Sequence, residues 1–176
     1  MGLANDKSLA WGIAKALHAA GAELAFSYQG EVMAKRVRPL ATQLLNPGDT
    51  EPFLLSCDVS TEAQLDTTFA TLAACWPTID FVVHAIGFTN KEALRGAYCD
   101  VGLDDFLMTM NISVYSFTAI ARRAAAMMPA FDPETGKGGG AMLTLSYYGA
   151  EKVIPHYNVM GVAKAALEAR DRKSVV

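Results

Sequence analysis

Ile79-Asp80-Phe81-Val82-Val83-His84-Ala85 is a near-continuous apolar run that leads straight into Ile86-Gly87. A strand with one face in water alternates polar and apolar residues. A run without alternation suits a parallel strand covered on both faces. On either side the period changes: Ala63 to Trp76 and Leu103 to Met128 place apolar residues at helical spacing.

The alternation continues outward in both directions. Upstream, Ser8 to Ala20 reads as a helix stopped at Gly21, Glu23 to Tyr28 as an extended run, and Glu31 to Leu45 as a second helix. Asn46-Pro47-Gly48-Asp49 is a turn, Pro52 to Ser56 a strand, and Ser60-Thr61-Glu62 offers a cap for the helix that follows. Downstream, Asp132 to Gly140 is a surface loop, Ala141 to Ser146 a strand and His156 to Arg170 a helix. Strands alternating with helices of this length predict an α/β fold with a doubly wound parallel sheet. The sheet is expected to be incomplete, because the chain starts in the turn that should follow a first strand.

Composition agrees with a packed fold. The 176 residues suit one domain with a sizeable core, and 52% apolar with 19% charged residues excludes a disordered chain. A net charge of -3 gives no reason to expect nucleic acid or an anionic membrane as partner. No apolar stretch is long enough to span a bilayer, and the N-terminus lacks the basic-then-apolar pattern of a secretory signal. Cys57, Cys75 and Cys99 are odd in number and without CxxC spacing, so they are read as reduced packing thiols in a cytoplasmic protein.

Three stretches carry chemistry. Gly2-Leu3-Ala4-Asn5-Asp6-Lys7-Ser8-Leu9 is a turn entering a helix; Gly2 lets the backbone bend, and the helix-start amides with the Ser8 hydroxyl suit a pyrophosphate. His84-Ala85-Ile86-Gly87-Phe88 ends a strand with small residues, where such sheets leave room for a flat ring. His84 itself is read as a packed strand histidine. In Ser146-Tyr147-Tyr148-Gly149 and Tyr157-Asn158-Val159-Met160-Gly161-Val162-Ala163-Lys164, the last tyrosine and the lysine are seven apart, within about 20° of one helix face. The YxxxK spacing common in short-chain dehydrogenases fails, since it lands on Gly161. A neutral phenol can stabilise charge developing on a carbonyl oxygen, and a nearby ammonium can hold ribose hydroxyls and lower the phenol pKa.

Taken in order, the Gly2–Ser8 turn, Gln29, Cys57-Asp58-Val59, Ala85-Ile86-Gly87, Asn111-Ile112-Ser113-Val114-Tyr115-Ser116-Phe117 and Tyr157-x6-Lys164 resemble the enoyl-acyl-carrier-protein reductases. These are divergent Rossmann-type short-chain dehydrogenases/reductases that end each round of bacterial fatty-acid elongation. The resemblance runs from Gly2 to about Ala169, which gives a partial domain over 1–169 and a tail, 170–176, that departs from the family pattern. It implies reduction of the trans-2 double bond of acyl-carrier-protein-linked enoyl thioesters by NADH. Gly2, Ser8 and Leu9 would lie at the pyrophosphate, Gln29 at the adenosine ribose, and Asp58 and Val59 at the adenine. Ile86 would touch the cofactor, and Thr89 the substrate. Tyr157 would contact the thioester oxygen, Lys164 the cofactor, and Tyr147 would be a second catalytic tyrosine. Gln29, being neutral, favours NADH; Lys35 and Arg36 keep NADPH as the lesser alternative. The resemblance also implies a homotetramer.

The family pattern has a strand before Gly2 and further strands and helices after Ala169. A chain without them is expected to be loosely packed and inactive by itself, because a missing central strand exposes its neighbours. The alternatives are another short-chain reductase, acting on a 3-ketoacyl thioester with Thr144 in the place of its serine, and a non-catalytic nucleotide-binding fragment.

Overall fold

The computed structural model describes residues 1–171. Helix α1, Leu9–Ala19, begins at Ser8, whose side chain accepts from the Trp11 amide, and β1, Ala25–Tyr28, follows. Helix α2 spans Gly30–Ala41 and tightens into a single 3-10 turn, Thr42–Leu44. Pro39 sits in its last turn without an N–H to donate to Lys35 O, and the α-helix ends at Ala41, short of the predicted Leu45.

Strand β2, Phe53–Ser56, helix α3, Glu62–Cys75, and strand β3, Phe81–His84, come next. Thr61 stands at the N-cap of α3, but neither residue expected to cap supplies a side chain: the Thr61 hydroxyl makes no capping bond, and the Ser60 hydroxyl donates to Asp58. Strand β4 is Ala141–Thr144 and helix α6 is Asn158–Asp171. Of the tail expected at 170–176, residues 172–176 lie outside the described residues.

The long helix read over 103–128 is three pieces: α4, Leu103–Met110, a π-helical turn, Asn111–Tyr115, and α5, Ser116–Ala125. The Thr109 and Ser116 hydroxyls each donate to the carbonyl four residues back, Asp105 and Ile112, both at 2.6 Å. Such back-bonding competes with the helix ladder and bends it.

Both strand pairings are parallel. β1 pairs with β2 from Ala25↔Phe53 to Tyr28↔Ser56, and β3 pairs with β4 from Phe81↔Ala141 to His84↔Thr144. Among the described residues no strand joins β1 to β3, so the expected single sheet is two pairs. Between them lies a slot of about 440 Å³, lined by Ala25, Phe26 and Ser27 on one side and Phe81, Val82 and Val83 on the other. Met1 enters the end of this slot. Its amine donates to Val83 O at 2.8 Å and its carbonyl accepts from Ala85 N at 3.1 Å, the spacing of a parallel ladder. Burial there lowers the amine pKa to about 6.

Helices cover both faces. Leu3, Trp11, Ala14, Phe26, Val37 and Ala41 join α1 and α2 to β1. Leu55, Leu65, Phe69, Leu72, Ala119, Ile120 and Ala124 join α3 and α5 to β2. Each fully buried Leu or Ile contributes roughly 1.5–3 kcal/mol. Of the cysteines, Cys57 is packed as expected, whereas Cys75 and Cys99 are exposed because they fall on outward positions; none is in a disulfide. No helix among the described residues is long and apolar enough to cross a membrane.

Candidate active site

The site is assembled at the carboxyl ends of the strands. Gly2 crosses directly over the end of β3 with φ +90. A Cβ there would overlap the Ala85 carbonyl oxygen and stand 2.6 Å from its carbon, so both the backbone angle and the close approach require glycine. The chain then turns through Asn5 into α1. The Ser8 hydroxyl is already engaged, donating to Asn5 O at 2.7 Å and accepting from Trp11 N at 3.3 Å. The Trp11 amide is thus taken by Ser8, whereas the amides of Leu9 and Ala10, in the first turn, have no acceptor within the helix and can serve an anion. The Leu9 side chain points to solvent.

At the ends of β1 and β2, Gln29 Nε2 donates to Asp58 Oδ2 at 2.8 Å. Asp58 Oδ1 accepts from the Ser60 amide at 2.9 Å and the Ser60 hydroxyl at 2.7 Å. Burial pushes the Asp58 carboxyl up, but the Ser60 hydroxyl and amide, and then Gln29, outweigh it and hold it below its ordinary value. Val59 is buried in the core, with its side chain among α3 and α5 neighbours.

At the ends of β3 and β4 stands Lys164, 7% exposed, whose Nζ donates to Leu145 O at 2.7 Å. A Cβ at Gly87 would be 3.5 Å from that Nζ and 3.9 Å from Ser113 Oγ, so lysine and serine both crowd the Gly87 turn. Ser113, fully buried on the π turn, donates to Phe88 O at 3.1 Å and accepts from Phe88 N at 3.0 Å. Ile86 is half-buried beside them. Thr89 is buried, and its hydroxyl lies 2.6 Å from that of Thr109, to which it donates because the Thr109 proton goes to Asp105 O.

Tyr157 sits just before α6 and its carbonyl accepts from Gly161 N at 2.7 Å. Its ring meets that of Tyr147 edge-on, with centroids 4.9 Å apart and planes at 64°. Burial raises the Tyr157 pKa, and Tyr147 raises it further. The expectation that Lys164 lowers this pKa is therefore corrected: burial also lowers the lysine's own pKa, and its ammonium is turned to a backbone carbonyl. The phenol is held protonated, as a hydrogen-bond donor must be.

His84 is fully buried, as read. Its Nε2 lies 2.8 Å from the Ser116 hydroxyl and its Nδ1 3.1 Å from that of Thr144. Ser116 spends its only proton on Ile112 O, so Nε2 must carry the hydrogen. Thr144, the place of the serine in other short-chain reductases, is thus tied to His84.

Sequence reasoning missed three residues here. Ser113 belongs to a polar stripe, Thr109, Ser113 and Ser116, all fully buried at i, i+4 and i+7; hydroxyls at that spacing in an apolar helix were its visible signal. Gly149 and Gly161 make room for Tyr157. A Cβ on Gly149 would run into the Tyr157 ring, and one on Gly161 would be 2.8 Å from Gly149 O. Nothing in the sequence distinguishes these glycines from turn glycines.

A family model described as Enoyl-(Acyl carrier protein) reductase matches residues 2–173. The chain belongs to this family. It is 54% identical over 173 residues to enoyl-[acyl-carrier-protein] reductase [NADH] 1 of Rhizobium meliloti (strain 1021), covering 98% of this chain and 58% of that protein. Among solved structures, the enoyl-(acyl-carrier-protein) reductase from Anaplasma phagocytophilum in complex with NAD matches with TM-score 0.85 and 53% identity, over 96% of this chain and 60% of that one. The Bacillus cereus enoyl-acyl carrier protein reductase with NADP+ and indole naphthyridinone matches with TM-score 0.86 and 46% identity, over 96% and 62%. The family fold, a Rossmann-type short-chain dehydrogenase/reductase, is thus the fold of this chain. The chain spans about 60% of the length of these reductases.

Proposed function

We propose that the protein reduces the trans-2 double bond of acyl-carrier-protein-linked enoyl thioesters with NADH. The observation that carries this reading is a buried Lys164 at the ends of β3 and β4, seven residues beyond a half-buried, protonated Tyr157. The residues present fit a dinucleotide. The open start of α1 suits a pyrophosphate, the polar Gln29–Asp58 pair an adenosine, and the Ile86-Gly87 turn a flat ring. When bound, NADH supplies the hydride.

The chain's own residues supply the rest. Hydride addition at the β-carbon puts charge on the thioester oxygen, and the Tyr157 hydroxyl donates to that oxygen most strongly as the charge grows. Tyr147 packs against the Tyr157 ring and fixes its plane. Lys164, held by Leu145 O, presents its remaining protons to the ribose hydroxyls beside Gly87. Gly2 and Leu9 serve the pyrophosphate with Ser8, whose hydroxyl keeps the turn in shape. Val59 and Ile86 give the base and the ring apolar walls, and Thr89 backs the substrate side. Residues 1–169 form a partial reductase domain, and the protein at its full natural length is a cytoplasmic homotetramer.

The test is NADH binding and enoyl-thioester-dependent NADH oxidation by the protein at its full natural length. Saturable binding with turnover of an enoyl but not a 3-ketoacyl thioester supports the reading. Absence of NADH binding refutes it.

A further inference from the structure

The β3–β4 ladder ends at the rung His84↔Thr144, and Leu145, Ser146 and Tyr147 run on past it. Two bonds to α6 hold this stretch. Lys164 Nζ donates to Leu145 O at 2.7 Å, and the Ser146 hydroxyl donates to Glu168 Oε1. Lys164 and Glu168 are four residues apart on the helix, so they stand on adjacent turns of one face. Leu145 and Ser146 are consecutive. The peptide that joins them is therefore gripped from both sides by the same helix.

The lysine bond alone leaves the ammonium free to turn. Three protons on a flexible stem can swing about a single carbonyl acceptor, and where the other two point depends on where that carbonyl points. The Ser146–Glu168 bond ties the far side of the same peptide to the helix that carries the lysine, and so fixes the carbonyl's direction. Ser146 is exposed and Glu168 half-buried, whereas Ala163 and Leu167 of the same helix are fully buried. The pair thus lies at the rim of the site, outside the packing that seats α6.

We propose that Ser146 and Glu168 are positioning residues for Lys164: their bond latches the peptide after Leu145 and so aims the ammonium at its ligand beside Gly87. This rests on the reading of Lys164 as the cofactor contact. The pair acts through the lysine, and what it needs at position 168 is an acceptor oxygen rather than a charge.

The test is NADH dissociation, with turnover at saturating NADH, on the protein at its full natural length. A net hydrogen bond is worth at most about tenfold in an equilibrium, which bounds what the latch can add. Ser146→Ala and Glu168→Ala should each weaken NADH binding roughly three- to tenfold and change saturated turnover less than about twofold. Glu168→Gln keeps an acceptor for the hydroxyl and should bind NADH within about twofold of the parent. In a Lys164→Ala background, Glu168→Ala should weaken binding no further. Undiminished weakening in that background overturns the proposal, as does unchanged binding in both alanine variants. Glu168→Gln losing as much affinity as Glu168→Ala overturns the latch in favour of the bare charge. Turnover that falls while binding holds places the pair with the tyrosines instead, and overturns it too. Should Glu168→Ala not fold, Ser146→Ala and Glu168→Gln decide by the same criteria. A parent protein that binds no NADH overturns the functional reading and the latch with it, a result distinct from the others.

Discussion

Gly149→Ala perturbs the site by a single methyl group. Gly149 is not among the glycines at positive φ, so alanine brings no backbone strain. The cost is steric: the new Cβ would overlap Tyr157 Cδ1 and sit 2.8 Å from Cε1, with Tyr147 Cδ1 at 3.5 Å. Carbon atoms settle at about 3.5–4.0 Å, so the Tyr157 ring must move by about 1 Å. It has little room to yield, since Tyr147 closes one side and the Gly149–Gly161 contact holds the backbone. A misplacement of about 1 Å at a reacting group costs on the order of 100-fold in rate, or about 2.7 kcal/mol of barrier. The assay is turnover at saturating NADH, with NADH dissociation measured in parallel on the protein at its full natural length. Turnover should fall by this factor while NADH dissociation changes less than about threefold, because Lys164 is held independently by Leu145 O and is not among the atoms the new methyl meets. Unchanged turnover would show either that Tyr157 does not face the reacting oxygen or that the loop yields in place of the ring.

Tyr157→Phe should lower turnover by about 10²–10³, since it removes one donor to the developing charge. Lys164→Ala should instead weaken NADH binding roughly ten- to a hundred-fold; loss of turnover with intact binding would reverse the two roles. His156, immediately before Tyr157, has φ 59, a region that asparagine and glycine adopt and β-branched residues resist. His156→Gly should therefore melt near the parent, and His156→Val should lose about 1–2 kcal/mol; equal stability of the two would mean that this turn relaxes freely. The buried Met1 amine has a pKa near 6 against an ordinary 8.0, so in that window the unfolded chain binds more protons. Stability of the 176-residue chain should rise by up to about 2–3 kcal/mol between pH 6 and 8, and N-terminal acetylation should flatten the rise.

The alternation of elements was legible because period and punctuation agree: β3 read as a buried strand from Phe81-Val82-Val83-His84, and α1 ended at Gly21. What escaped depends on contacts between distant residues. The break at Asn111–Tyr115 follows from Thr109 and Ser116 back-bonding while Ser113 reaches Phe88, twenty-five residues away in sequence. The Tyr157–Lys164 spacing singled out two residues for one helix face, but Tyr157 lies outside α6, and the sign of its pKa shift depends on burial that no spacing reveals. Thr61 was a sound cap by type and still left uncapped the helix it precedes.

The two ends of the candidate site hang on different strand pairs, Gln29 and Asp58 on β1 and β2, Tyr157 and Lys164 on β3 and β4. A dinucleotide lying across both ends requires their separation to be fixed, yet among the described residues no strand-to-strand bond joins β1 to β3. Three contacts carry that load. Met1 bonds to Val83 and Ala85 while Leu3 packs beside Phe26. Ile120 and Ala124 of α5 pack against the α3 and β2 side chains. Outside them Arg123 joins Glu62 at 2.6 Å and Asp66 at 2.5 Å, with Tyr115 OH on Glu62 at 2.9 Å. The exposed carboxylates make this ion cluster a weak source of stability, so the packing beneath it matters more. The spacing between the two ends of the candidate site therefore rests chiefly on the α3–α5 layer, and truncating Ile120 should loosen dinucleotide binding without touching a single residue of the site.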